Sequence, residues 1–127
     1  AIGLCRDLGE TLGFARISEL SPERHDEIIA FLSQLTHCIA VSLMCSSDDH
    51  GLVNYTGDSF RDLTRIARIN DEMWSELFLD NKPALLKEMK AFRDNFDKMY
   101  TAVEKDDREG LREMMRTSTE RRSWFDR

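Results

Sequence analysis

"PERHDEIIAFLSQLTHCIAVSLMC", residues 22–45, is the stretch whose reading decides the fold. From Ile28 to Ser46 no residue carries a formal charge apart from whatever His37 acquires, yet Ser33, Gln34, Thr36, His37 and Ser42 are spread through it. A membrane span would set those polar groups in lipid between acidic flanks, at a cost. A central helix of a soluble bundle, covered on nearly all sides by its neighbours, accounts better for the missing charge. Ser21 can cap such a helix, and Pro22 suits a first turn where no backbone donor is missed. The stretch therefore predicts one long helix, from Pro22 to about Cys45.

At about 100° per residue, Ile28, Leu32, Leu35, Ile39 and Leu43 gather on one face and Asp26, Ala30, Ser33, His37 and Met44 on the other. Small residues let something approach, and Asp, Ser and His supply hydrogen-bonding groups along the same wall. The pattern fits a site wall, and it fits equally well a histidine satisfied by a neighbouring helix. His25 is twelve residues from His37, so the two cannot chelate one metal from a continuous helix. No metal site is expected.

Outward from this helix, periodicity predicts an all-α fold of about six helices with no strand. The first runs from Ile2 to Arg16, with Cys5, Leu8 and Leu12 at helical spacing. After the polar connection "SSDDHGLVNYTGDS", a third helix covers Ser59 to Ile69, with Ser59 and Asp62 at capping-box spacing. It places Phe60, Leu63, Ile66 and Ala67 opposite Arg61, Arg65 and Arg68, an arginine stripe that alone reads as a solvated face. A fourth helix spans Asp71 to Leu79. Asn81 or its neighbour, followed by Pro83, opens a fifth that reaches about Lys105. It carries Leu85, Met89, Phe92, Phe96, Met99 and Val103 at heptad spacing, which predicts core packing inside the bundle or against a second copy. The last runs from Asp107 to about Trp124, with Arg108, Arg112 and Arg116 beside Glu109 and Glu113 as a charge-laced face.

Composition narrows the function classes. The chain has 127 residues, enough for one domain with its own core, and a formal charge of −6 disfavours nonspecific binding to nucleic acid or anionic membranes. Three cysteines with no CxxC fit reduced thiols in the cytoplasm. No GxGxxG, Walker, GxSxG or HExxH motif is present, so the chain is not expected to hold a dinucleotide by itself. "AIGLCRDLGETLGFAR" lacks an initiating Met and a continuous apolar run, and reads as mid-helix. A piece cut from a longer polypeptide is expected.

The blocks "HDEIIAFLSQLTHCIAVSL" and "GDSFRDLTRIARINDEMW", followed by long closing helices, resemble the carboxy-terminal domain of the prephenate dehydrogenase family over essentially the whole chain. The resemblance implies a helical dimerisation domain of the 6-phosphogluconate-dehydrogenase C-terminal-like type. Residues 1–127 would close over substrate held by an amino-terminal Rossmann domain absent from this chain. The intact enzyme would oxidatively decarboxylate prephenate, or oxidise its amino analogue arogenate, with NAD or NADP bound mainly by that absent domain. By motif position, the resemblance makes Arg65 the substrate-carboxylate arginine and His37 the substrate-contacting histidine. It makes Asp26, Asp62 and Trp74 residues that order the pocket and interface, with Ser33 on the same wall. No catalytic or cofactor-binding residue is expected within the chain, and a cytoplasmic homodimer is.

Two departures stand out. The family often has Ser-His-Leu-Pro-His where this chain has Ser33-Gln34-Leu35-Thr36-His37, losing a histidine and a helix-bending proline. It often has paired glycines where Gly57-Asp58 stands, and a carboxylate there would repel a dianion and favour a substrate carrying a cation. The rival reading is a stand-alone helical interaction or regulatory module, with the fifth helix as its binding surface.

Overall fold

The computed structural model describes residues 2–11 and 19–126. Helices dominate, and no strand occurs among the described residues. Six α-helices follow one another there: α1 (Ile2–Thr11), α2 (Pro22–Met44), α3 (Asp58–Thr64), α4 (Asp71–Asp80), α5 (Lys82–Glu104) and α6 (Arg108–Ser123). The part of the first helix expected beyond Thr11 lies outside the described residues. The chain folds as two compact units, Ala1–Leu85 and Leu86–Arg127.

In the first unit α2 starts as the sequence predicts. Ser21 accepts a hydrogen bond from the Arg24 N–H at 3.1 Å, and Pro22 opens the first turn. The helix is long and apolar enough to cross a membrane by length and composition, but it is not one regular cylinder. Ala30–Leu35 forms a π-helical segment between α-helical Pro22–Ile29 and Thr36–Met44. A π turn takes one extra residue, so the faces on either side slip by about 100° relative to an unbroken α-helix.

That slip overturns the two faces drawn at constant pitch. Leu32, expected among the apolar residues, is 54% exposed, while Ala30 and Ala40 are fully buried and Leu35 and Gln34 nearly so. Small Ala30 and Ala40 allow close approach, and Gln34 is the buried polar residue among them. The final α-helical stretch of α2 packs against α3 and against a 3-10 turn at Arg65–Ala67.

Three other local expectations change. The connection after α2 contains a short 3-10 helix, His50–Asn54, started by Asp49, whose side chain accepts from the Gly51 N–H at 2.9 Å. The Ser59–Asp62 capping box does not form, because the helix begins one residue earlier with Gly57 as N-cap and no side-chain cap. Asp58 thereby sits in the first turn, where a carboxylate suits the positive end of the helix. The arginine stripe is broken too: Arg65 starts the 3-10 turn, and Arg68 follows it on extended backbone at φ −80°, ψ 105°.

The second unit is a helical hairpin. Asp106 takes a left-handed φ of 54°, the Asp107 N–H reaches the Ala102 carbonyl at 2.8 Å, and the Asp106 N–H reaches the Val103 carbonyl at 3.2 Å. These bonds form a Schellman stop with Asp where glycine is usual. Asp107 then caps α6 by accepting from the Gly110 N–H at 2.9 Å. A Cβ on Gly110 would collide with the Asp107 carboxylate, so the cap demands glycine there. Along α6, Glu109 pairs with Arg112 at 3.3 Å and Arg116 at 2.8 Å on an exposed face, as the charge pattern implies.

Most of the heptad residues of α5 are not core among the described residues. Leu85 is buried, but Met89, Phe92, Phe96, Met99 and Val103 are 36–60% exposed. Phe92 and Phe96 stack on each other at 6.3 Å between ring centroids, forming an uncovered aromatic step. Of the two packing modes that heptad spacing allows, the described residues show burial inside the chain at Leu85 alone.

Candidate functional site

The site is built from the junction in α2 and the first two turns of α4. Thr36 back-bonds to its own helix: its Oγ1 donates to the Ser33 carbonyl at 2.7 Å, with the Leu32 carbonyl farther away at 3.3 Å. The Thr36 N–H also donates to the Ser33 carbonyl. Such back-bonding bends helices. Thr36 therefore stands beside an irregular segment at the position where the family often has proline.

The same Ser33 carbonyl lies 2.6 Å from His37 Nδ1. A carbonyl only accepts, so Nδ1 carries the hydrogen and donates it. In the neutral ring Nε2 is then left as an acceptor, and in the imidazolium it becomes a second donor. The contribution of Ser33 comes through its backbone oxygen.

His37 is half-buried against Trp74 of α4. Their rings stack with centroids 3.9 Å apart and planes inclined by 22°. Phe78, one turn along α4, lies 5.7 Å from Trp74 with the ring planes tilted by 59°. Asn70 fixes the start of α4 by accepting from the Met73 N–H at 3.0 Å, with Asp71 and Glu72 in the first turn. The structure thus brings Ser33, His37 and Trp74 together.

Arg65 comes from the 3-10 turn packed on the last part of α2. It is exposed and has no hydrogen-bond or ion-pair partner among the described residues. Its five N–H donors in a planar fork suit a carboxylate. Arg61, by contrast, donates to Thr56 Oγ1 at 3.2 Å. Asp62 is exposed, and no partner of its side chain is found among the described residues. The exposed Asp26 carboxylate lies 3.4 Å from His25 Nδ1.

Two residues, Gln34 and Asn81, make contacts here that the sequence alone does not assign to them. Gln34 donates through Nε2 to the Leu77 carbonyl at 3.1 Å, and its Oε1 accepts from Asn81 Nδ2 at 2.8 Å. Asn81 Nδ2 also donates to the Asp26 carbonyl at 3.0 Å. The available signal is a lone amide in an uncharged helical run, facing an Asn at a helix junction. Cys38, next to His37, is half-buried, and loss of solvent pushes its thiol up from the ordinary range.

Residues 21–117 match the family described as prephenate dehydrogenase, dimerization domain. The chain belongs to the prephenate dehydrogenase family. It is 33% identical over 128 residues to cyclohexadienyl dehydrogenase of Zymomonas mobilis, covering 96% of this chain and 43% of that protein. It is 34% identical over 113 residues to prephenate dehydrogenase of Bacillus subtilis, covering 85% of this chain and 30% of that one. Prephenate dehydrogenase from A. aeolicus, solved with hydroxyphenyl propionate and NAD+, superposes with a TM-score of 0.85 at 28% identity, over 98% of this chain and 45% of that chain. Synechocystis arogenate dehydrogenase shares the fold, with a TM-score of 0.86 at 23% identity, over 98% of this chain and 47% of that one. The chain spans less than half the length of these prephenate dehydrogenase relatives.

Proposed function

We propose that this chain is the helical substrate-closing and dimer-forming part of a cytoplasmic prephenate or arogenate dehydrogenase. Arg65 grips a substrate carboxylate through its guanidinium fork, and His37 presents its Nε2 edge to the same ligand. Trp74 holds the imidazole plane, while Asp26 and Asp62 order the surrounding pocket and interface. The observation that carries this reading is the His37 geometry: one ring nitrogen is committed to Ser33 and one face to Trp74. Only Nε2 is left for a ligand.

NAD or NADP supplies the hydride acceptor in this reading. The described helices contain no strand-to-helix turn of the kind that cradles a pyrophosphate. In this reading the cofactor is held mainly by an amino-terminal Rossmann domain of the intact enzyme. Homodimerisation is supported by the exposed apolar stripe of α5 and by the dimerization-domain family.

The deciding experiment joins this chain to a Rossmann domain and replaces Arg65 by Ala. Losing a charge-assisted hydrogen-bond pair should lower kcat/KM for prephenate roughly 10- to 100-fold, mostly through KM. An unchanged kcat/KM would remove Arg65 from the site and favour an interaction module in which the arginine is merely solvated.

A further inference from the structure

Gln34 and His37 are three residues apart on α2, and their partners Trp74 and Leu77 are three apart on α4. The order is reversed: His37 meets Trp74, and Gln34 meets Leu77. Two helices running antiparallel are thus joined at two successive turns, once by ring stacking and once by a side-chain amide.

The amide contact has a defined polarity. The Leu77 carbonyl also accepts the Asn81 N–H at 3.3 Å and can only accept, so Gln34 must point Nε2 at it. Oε1 then faces Asn81 Nδ2, whose two hydrogens go to Gln34 Oε1 and the Asp26 carbonyl. Rotating either amide would set oxygen against oxygen or N–H against N–H. Gln34 is only 4% exposed, so water cannot readily replace its own two bonds. Its own backbone lies in the π-helical segment, adjacent to the Ser33 carbonyl that receives the His37 proton.

We propose that Gln34 is a positioning residue for His37: by fixing the register of α2 on α4, it holds the Ser33 carbonyl and the Trp74 ring where together they impose the Nδ1–H tautomer and leave Nε2 for ligand. This deepens the proposed function, since it matters to substrate only if His37 contacts substrate. The positioning itself is a property of this chain. Gln34 acts where the family often has histidine, so register is here enforced by an uncharged group with no titration of its own.

Nitrogen-15 shifts of the labelled histidines at alkaline pH read the tautomer directly, with the His37 signal assigned by its loss in His37→Gln. The Nδ1–H form should dominate at His37 in the parent chain, and a dominant Nε2–H form there would overturn the proposal at once. Gln34→Met, which keeps length and loses both hydrogen bonds, should raise the Nε2–H population severalfold. Asn81→Asp, which sets a carboxylate against Gln34 Oε1, should move it in the same direction while disturbing the interior less. If either variant keeps its helical circular dichroism and its His37 tautomer is unchanged, Gln34 has no positioning role. In the enzyme with its Rossmann domain, Gln34→Met should raise KM for prephenate severalfold, with a smaller change in kcat. A tautomer shift without a KM change would sink the substrate role of His37 and leave the positioning role standing.

Discussion

At the residue scale, Trp74 and Cys38 report on the surroundings of His37. Trp74→Phe keeps a ring but loses much of the stacked surface, and thermal or denaturant unfolding should show a loss of about 1 kcal/mol. Burial raises the Cys38 thiol above the ordinary range, so at mildly alkaline pH less of it is thiolate, and it is also less accessible than exposed Cys45 and Cys5. Alkylation followed by peptide mass mapping should modify Cys45 and Cys5 first and Cys38 last. The linkage has a definite sign. A folded-state value above the unfolded one stabilises the fold at lower pH, and that contribution fades as pH rises through the folded thiol's range. His37, Ser33 and Trp74 were readable in the sequence because their order and spacing carry the family pattern. Gln34 was not, since a buried amide declares its partner only when the corner bearing Leu77 and Asn81 is folded against it.

The elements divide in the same way. The extents of α2, α4, α5 and α6 follow from apolar period and caps: Ser21, Asn70 and Asp107 all accept from backbone N–H groups of the first turn. Asn70→Ala should cost about 1 kcal/mol and loosen the helix bearing Trp74, measurable as a lower unfolding midpoint. What periodicity could not reveal was change of pitch. The π segment of α2 and the 3-10 turn at Arg65 each break the fixed rotation per residue, and so displaced the faces drawn for Leu32 and for the three arginines. At the hairpin corner Asp106 holds a left-handed backbone that glycine adopts freely. Asp106→Gly should therefore raise stability by up to about 1 kcal/mol, readable as a higher denaturant midpoint with an unchanged slope.

For the whole molecule, the arithmetic of burial matters more than any single contact. Among the described residues the buried hydrophobic ones are Ala30, Leu35, Ala40, Leu85 and Ala102, mostly small, and no large side chain is fully enclosed. A stripe of Met and Phe on α5 instead faces outward, and a second copy is the occupant proposed for it. Phe96→Asp would place a charge in the middle of that stripe. Sedimentation at micromolar concentration should then show the 14.8 kDa monomer where the parent chain sediments as a dimer. A parent chain that is already monomeric would count against the dimer.

The uncovered α5 stripe also makes stability a matter of mass action. Where association completes the core, the free energy of unfolding includes protomer concentration, and Tm climbs as the solution is made more concentrated. Dilution then behaves as a denaturant. A cell that makes too little of such a chain would lose folded protein faster than in proportion to its synthesis.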